Sequence, residues 1–270
     1  MFRSATATPP KRHRVASLVG LALLAACGGR PDVEGTIIDP WDKPVEGATV
    51  IMEGVVERQV TDAAGHFEFD SRDVQMNLLA GKDGYIKGVA SVAPPPEDAD
   101  ELPPVQIVLY PDPPEPGFYA IGTETYVQLR TETAEAIGTE LETYTGISGV
   151  GTAQVPAGKP LRLVFSTGLR PHEISRLDLR LHRLNFIGHK VIKGALGDTE
   201  ATVNLFVADG NVPFDLVGLQ TRNDYLITSR EPMTTGFYAF DIEGVLSAHD
   251  HALLDHLPRE LRVAYPYEVP

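Results

Sequence analysis

Through most of this chain apolar and polar residues alternate one by one, the period of a half-buried β-strand. Leu161, Leu163 and Phe165 alternate with Arg162, Val164 and Ser166, and Val203, Leu205 and Val207 repeat the pattern before the turn Asp209-Gly210-Asn211. Leu177, Leu179 and Leu181 alternate with Asp178, Arg180 and His182, after which Leu184 and Phe186 take the opposite parity. A parity slip inside a strand predicts a β-bulge, here near His182-Arg183. Closer to the N-terminus, strands are predicted at 33–39, 47–52, 56–61 and 66–70, from Gly84 onward and at 105–110. Pro40 to Pro44 and Asp62-Ala63-Ala64-Gly65 read as turns, the second with glycine where positive φ costs little. Gly117-Phe118-Tyr119-Ala120 recurs almost verbatim as Gly236-Phe237-Tyr238-Ala239, which reads as two similar core strands of one sandwich. A single helix is predicted near the end. Ser247-Ala248-His249-Asp250 fits a capping box, Leu246, Leu253, Leu254 and Leu257 share one face, and Pro258 stops it. Leu261, Val263 and Tyr265 then read as a last strand. The predicted class is all-β.

Two proline-rich stretches interrupt the strands. Residues 94–101, Pro-Pro-Pro-Glu-Asp-Ala-Asp-Glu, cannot build a core and read as an extended surface loop. Residues 111–117 read as a stiff linker between 28–113 and 114–270, with few contacts expected to cross it.

One segment breaks the alternation. Val15 to Ala26 is an apolar run, interrupted only by Ser17, behind the basic residues Arg3, Lys11, Arg12 and Arg14, and Cys27 follows it directly. Spanning a bilayer takes about 20 apolar residues, so this run is too short, and the layout is that of an export signal over residues 1–26. Cys27 is the only cysteine of the chain, and Leu24-Ala25-Ala26-Cys27 resembles the lipobox of bacterial lipoproteins. That resemblance implies cleavage before Cys27, acylation of its thiol and amine, and a lipid anchor in a bacterial envelope. Gly28, rather than aspartate, behind the anchor points to the outer membrane. Several acyl chains hold a protein far more firmly than one, since each buried methylene contributes about 0.8 kcal/mol. A lone cysteine allows no internal disulfide, so the domains must stand on their apolar cores.

Charge narrows the partners. The formal net charge is −14, and residues 1–26 hold basic residues and no acidic ones, so the remainder is more acidic still. Such a chain does not hold a phosphate backbone, which excludes nucleic acid, and its membrane attachment must come from acyl chains rather than a basic patch.

Residues 33–110 resemble the carboxypeptidase regulatory-like domain. The matching positions are Gly35 in the first strand, Pro44-Val45, Gly47-Ala48 and Val50, then Thr61-Asp62, Gly65 and Phe67, then Gly84-Tyr85 and the apolar closing strand. The resemblance implies a small transthyretin-like β-sandwich serving as a folding, spacer or binding unit, without catalytic residues. Asp42-Lys43 stands where that family usually has glycine in the first turn. Residues 117–270 are expected to form a second β-sandwich with one short C-terminal helix. Tyr225 to Phe240 resembles C-terminal regions of bacterial lipoproteins, which implies no activity.

Candidate chemistry is sparse. His249, Asp250, His251, Asp255 and His256 form the densest set of potential ligands, but a helix brings only pairs of them onto one face and a stable zinc site takes three or four ligands. They read as a cap and a solvated side. His66 reads as a polar residue ahead of a strand aromatic. Gly146-Ile147-Ser148-Gly149-Val150 misses the nucleophile-elbow spacing by one residue and reads as a glycine-rich loop. The chain ends Tyr265-Pro266-Tyr267-Glu268-Val269-Pro270, not in the Tyr-Arg-Gly-Ser signature of transthyretin-like hydroxyisourate hydrolases. No cofactor, metal or catalytic set is expected. The reading is an envelope protein with a binding or structural role toward an envelope protein or polysaccharide. The alternative is a hydrolase of envelope polysaccharide or peptide acting through a cleft in 114–270.

Overall fold

The computed structural model describes residues 31–96, 99, 101–220, 223–242, 244–247, 254, 258 and 261–270. The described chain is all-β, as expected, with helix confined to short turns.

The first part contains β1 (Asp32–Ile38), β2 (Thr49–Met52), β3 (Arg58–Val60), β4 (His66–Asp70), β5 (Met76–Gly81), β6 (Tyr85–Ile86), β7 (Gly88–Val92), β8 (Val105–Val108) and β9 (Tyr110–Pro111). Its main sheets have the orders β4-β1-β8 and β3-β2-β5-β7. Inward residues of the first, Val33, Ile37, Phe67, Phe69 and Ile107, pack on Val50, Met52, Met76, Leu78 and Ala80 of the second. Gly35 lies opposite Phe67, and a Cβ there would stand 2.4 Å from the Phe67 ring, so the strands close only over glycine. The predicted turn forms with Gly65 at φ 75°, its carbonyl accepting from Ile37 N at 2.8 Å. A Cβ on Gly65 would meet the Ile37 carbonyl oxygen at 2.4 Å. Gly65→Ala combines a left-handed backbone with that clash and is expected to cost about 2 kcal/mol or more, read by urea denaturation. In the first turn Asp42 itself takes the left-handed conformation, φ 59°, while the Asp39 carboxylate accepts from Trp41 N and Lys43 N. Aspartate tolerates that region, which is how the turn forms without glycine.

The second part contains β10 (Gly117–Ile121), β11 (Tyr126–Leu129), β12 (Glu132–Gly138), β13 (Thr143–Ile147), β14 (Pro160–Ser166), β15 (Arg180–Ile192), β16 (Thr199–Asn211), β17 (Phe214–Gly218), β18 (Asp224–Pro232), β19 (Gly236–Asp241) and β20 (Val263–Val269). A helical turn, α1 (Pro171–Ile174), follows β14. Five strands form an open sheet, β11-β10-β14-β18-β17, and six close into a barrel, β12-β13-β16-β15-β19-β20. The sandwich expected here is thus a sheet laid against a barrel. Phe118, Leu163 and Phe165 of the sheet pack on Leu181, Tyr238, Phe240 and Tyr267 of the barrel wall. Phe118 stacks on Phe165 at 4.2 Å and on Phe240 at 5.2 Å, so the recurring Gly-Phe-Tyr-Ala strands do face one another across this core. The β15–β16 register shifts between Arg183 and Leu184, where the parity slip predicted a bulge, but the extra residue, Asp209, lies on β16. β15 changes parity because Leu181 packs toward the sheet and Leu184 inside the barrel. The glycine-rich stretch at 146–150 is not wholly a loop. Gly146 and Ile147 belong to β13, and a Cβ on Gly146 would meet the Phe206 carbonyl oxygen at 2.3 Å, so this glycine serves close strand approach.

The open sheet is covered on both faces. Residues 118–120 of β10 and 163–165 of β14 are buried in unbroken runs. On the face away from the barrel, Tyr119 and Val164 pack on Ile86 and Tyr110 of the first part. Trp41 Nε1 donates to the Gly122 carbonyl at 3.0 Å and its ring meets Tyr126 edge-on at 5.5 Å. Arg162 Nη2 donates to Tyr110 Oη at 2.9 Å. These side chains make contact across the proline linker, where the first part lies against the open sheet and the sheet against the barrel.

Candidate functional site

Cys27 and the histidine–aspartate set His249, Asp250, His251, Asp255 and His256 lie outside the described residues. Ser247, expected to open the helix there, closes a 3-10 turn over Val245–Ser247 and its Oγ accepts from Arg180 Nη1 at 3.2 Å. Val245, Leu246 and Leu254 enter the barrel beside Ala134, Ala239 and Ala264, so the apolar face predicted for this region points inward where it is described. His66 begins β4, and its backbone N–H donates to the Asp62 carboxylate at 2.9 Å. Among the described residues no three His, Cys, Asp or Glu side chains converge as a metal site, and no helix is long and apolar enough to cross a membrane.

Sequence reasoning passed over His182. It is 2% exposed, and its Nε2 lies 3.1 Å from Oδ1 of Asp241, which is 0% exposed. Asp241 Oδ2 accepts from Leu246 N at 2.6 Å. A His–carboxylate pair can orient a proton-transfer group, but both residues are buried, and neither is among the described lining of the cleft between sheet and barrel. Its partners assign it to holding the 3-10 turn inside the barrel. The alternation that placed His182 on a polar face gave no signal of this, because its partner is remote in sequence.

On the first part, β1 and β4 set Asp32 opposite Asp70 and Glu34 opposite Glu68. The neighbouring Asp32 carboxylate raises the proton affinity of Glu68, with Glu34 adding to the effect. This face is an exposed, like-charged ladder.

The cleft with the most distinct chemistry opens where the sheet and the barrel diverge, and encloses about 680 Å³. Its floor is Leu129, Phe165, Leu169, Leu177 and Tyr265, and its rim is Gln128, Arg130, Thr131, Ser166 and Thr167. β11 supplies Leu129 just before the chain crosses to the barrel, β14 supplies Phe165 at its end, and β20 supplies Tyr265. Phe118 fixes this floor from below, stacked on Phe165 and 4.5 Å from the Tyr265 ring. Burial holds the Tyr265 phenol protonated above its ordinary range, leaving it a neutral donor. Gln128 is positioned by its own bonds to Glu115 and Tyr119. Its volume falls in the range of small-molecule sites, which are apolar with a few placed polar groups.

No family model matches the chain, and no curated protein matches it. Among solved structures the chain is similar to BcpA, the major pilin subunit of Bacillus cereus, at 12% identity, covering 88% of this chain and 67% of that one. The TM-score is 0.24, and a superposition this loose carries no argument about fold or function.

Proposed function

We propose that this is a lipid-anchored protein of a bacterial envelope, held through Cys27, with a binding or structural role toward an envelope protein or polysaccharide. The observation that carries the reading is the lone cysteine behind Leu24-Ala25-Ala26 and a short apolar run. Gly28 after the anchor favours the outer membrane. With β1 beginning at Asp32, four residues separate it from Cys27 and reach about 14 Å when extended, which supports a first part close to the bilayer. Packing of the three layers suits a scaffold that presents one face at a defined height. The hydrolase alternative calls for convergent histidines or carboxylates in a cleft of 114–270. The cleft there gathers apolar side chains, hydroxyls and one arginine among the described residues, which favours binding over hydrolysis.

Cys27→Ser is expected to leave the precursor uncut and to release the protein from washed membranes. Normal maturation of the variant with full retention on membranes overturns the anchor.

A further inference from the structure

In a chain of net charge −14, the cleft between sheet and barrel carries no carboxylate among its described lining, and its one charged side chain is the cation Arg130. Arg130 is exposed and makes no ion pair with a described residue, so its guanidinium is available to a ligand. Below it the floor is apolar and held in place by the main core, with Leu129 and Phe165 nearly buried. We propose that this cleft binds an anionic amphiphile, a long-chain monocarboxylate, with its carboxylate on Arg130 and its chain over Leu129, Phe165, Leu177 and Tyr265.

The match is one of charge and polarity together. A guanidinium fork pairs with a carboxylate through two parallel hydrogen bonds, and Thr131 beside it offers a hydroxyl. The apolar floor buries the chain with little reorganisation, because the Phe118 stack already fixes both aromatic walls. A neutral sugar would leave Arg130 unused and the leucines facing hydroxyls. A divalent cation would meet a guanidinium and no carboxylate. The proposal goes beyond the role given above, adding a small-molecule ligand to an envelope protein or polysaccharide partner, and does not depend on the anchor.

The test uses the full-length chain carrying Cys27→Ser, free of its own acyl groups, with palmitate as the probe and hexadecanol as its uncharged counterpart. Calorimetry is expected to show one palmitate per chain. Arg130→Gln should weaken palmitate about tenfold, the scale of one charge-assisted contact, and leave hexadecanol unchanged. Thr131→Trp, which fills the mouth from an exposed position, should abolish both while circular dichroism stays that of the parent. Absence of palmitate binding at millimolar concentration overturns the site, as does palmitate binding that neither variant alters. Equal loss of palmitate and hexadecanol in Arg130→Gln overturns the charge assignment. Failure of the anchor reads out separately, as membrane retention of Cys27→Ser.

Discussion

Asp241→Ala is expected to lower the free energy of unfolding by about 3–5 kcal/mol, the cost of removing one partner from a buried, hydrogen-bonded polar pair. Asp241 is 0% exposed and its two oxygens serve two different elements. Oδ1 meets His182 across the β15–β19 pair, and Oδ2 takes the N–H of Leu246 in the 3-10 turn. Without the carboxylate, His182 and the Leu246 amide are left inside the barrel without acceptors. His182→Ala should be costly for the complementary reason, since it leaves the carboxylate short of a partner. Because the residues act as one unit, the double variant should cost less than the sum of the single ones by about 1–3 kcal/mol. Urea denaturation of the four proteins completes the cycle. Strict additivity would mean that the two side chains do not support each other.

Val164→Asp should produce the second large effect, on cooperativity as well as stability. Val164 is 0% exposed on the face of the open sheet that meets Ile86 and Tyr110. Arg162, two residues away on the same face of β14, is already engaged with Tyr110 Oη, so a carboxylate there must break that bond or be solvated by parting the layers. Scanning calorimetry is expected to show one transition for the parent and two for the variant, the first at markedly lower temperature. Val164→Ala only removes apolar contact and should keep a single transition at a cost of about 2 kcal/mol. A single transition at the parental temperature in Val164→Asp would show that the seam does not couple the parts. The seam has further contributors. Burial of Tyr126 raises its phenol well above the ordinary range, so its hydroxyl stays a donor to the Pro111 carbonyl at 3.0 Å.

Period-two alternation over 161–166 and 203–207 determined the strands, because a strand with one buried face writes its geometry directly into the order of residues. The slip at His182-Arg183 marked a change of buried face, from Leu181 under the sheet to Leu184 inside the barrel, beside a register shift whose extra residue lies on β16, and Gly65 marked a turn that needs positive φ. What the sequence could not decide is which strands meet. Leu163 and Phe165 face the barrel while Val164 between them faces the first part, and nothing in the alternation tells a second buried face from a solvated one. Trp41 and Gly122 meet across a proline linker that reads as a divider, since proline limits local conformation but leaves later docking open. The barrel, the His182–Asp241 pair and the cleft beneath Arg130 each join residues distant along the chain. Their existence depends on strand order and closure, which follow from the summed packing of whole layers and not from the pattern of any one segment.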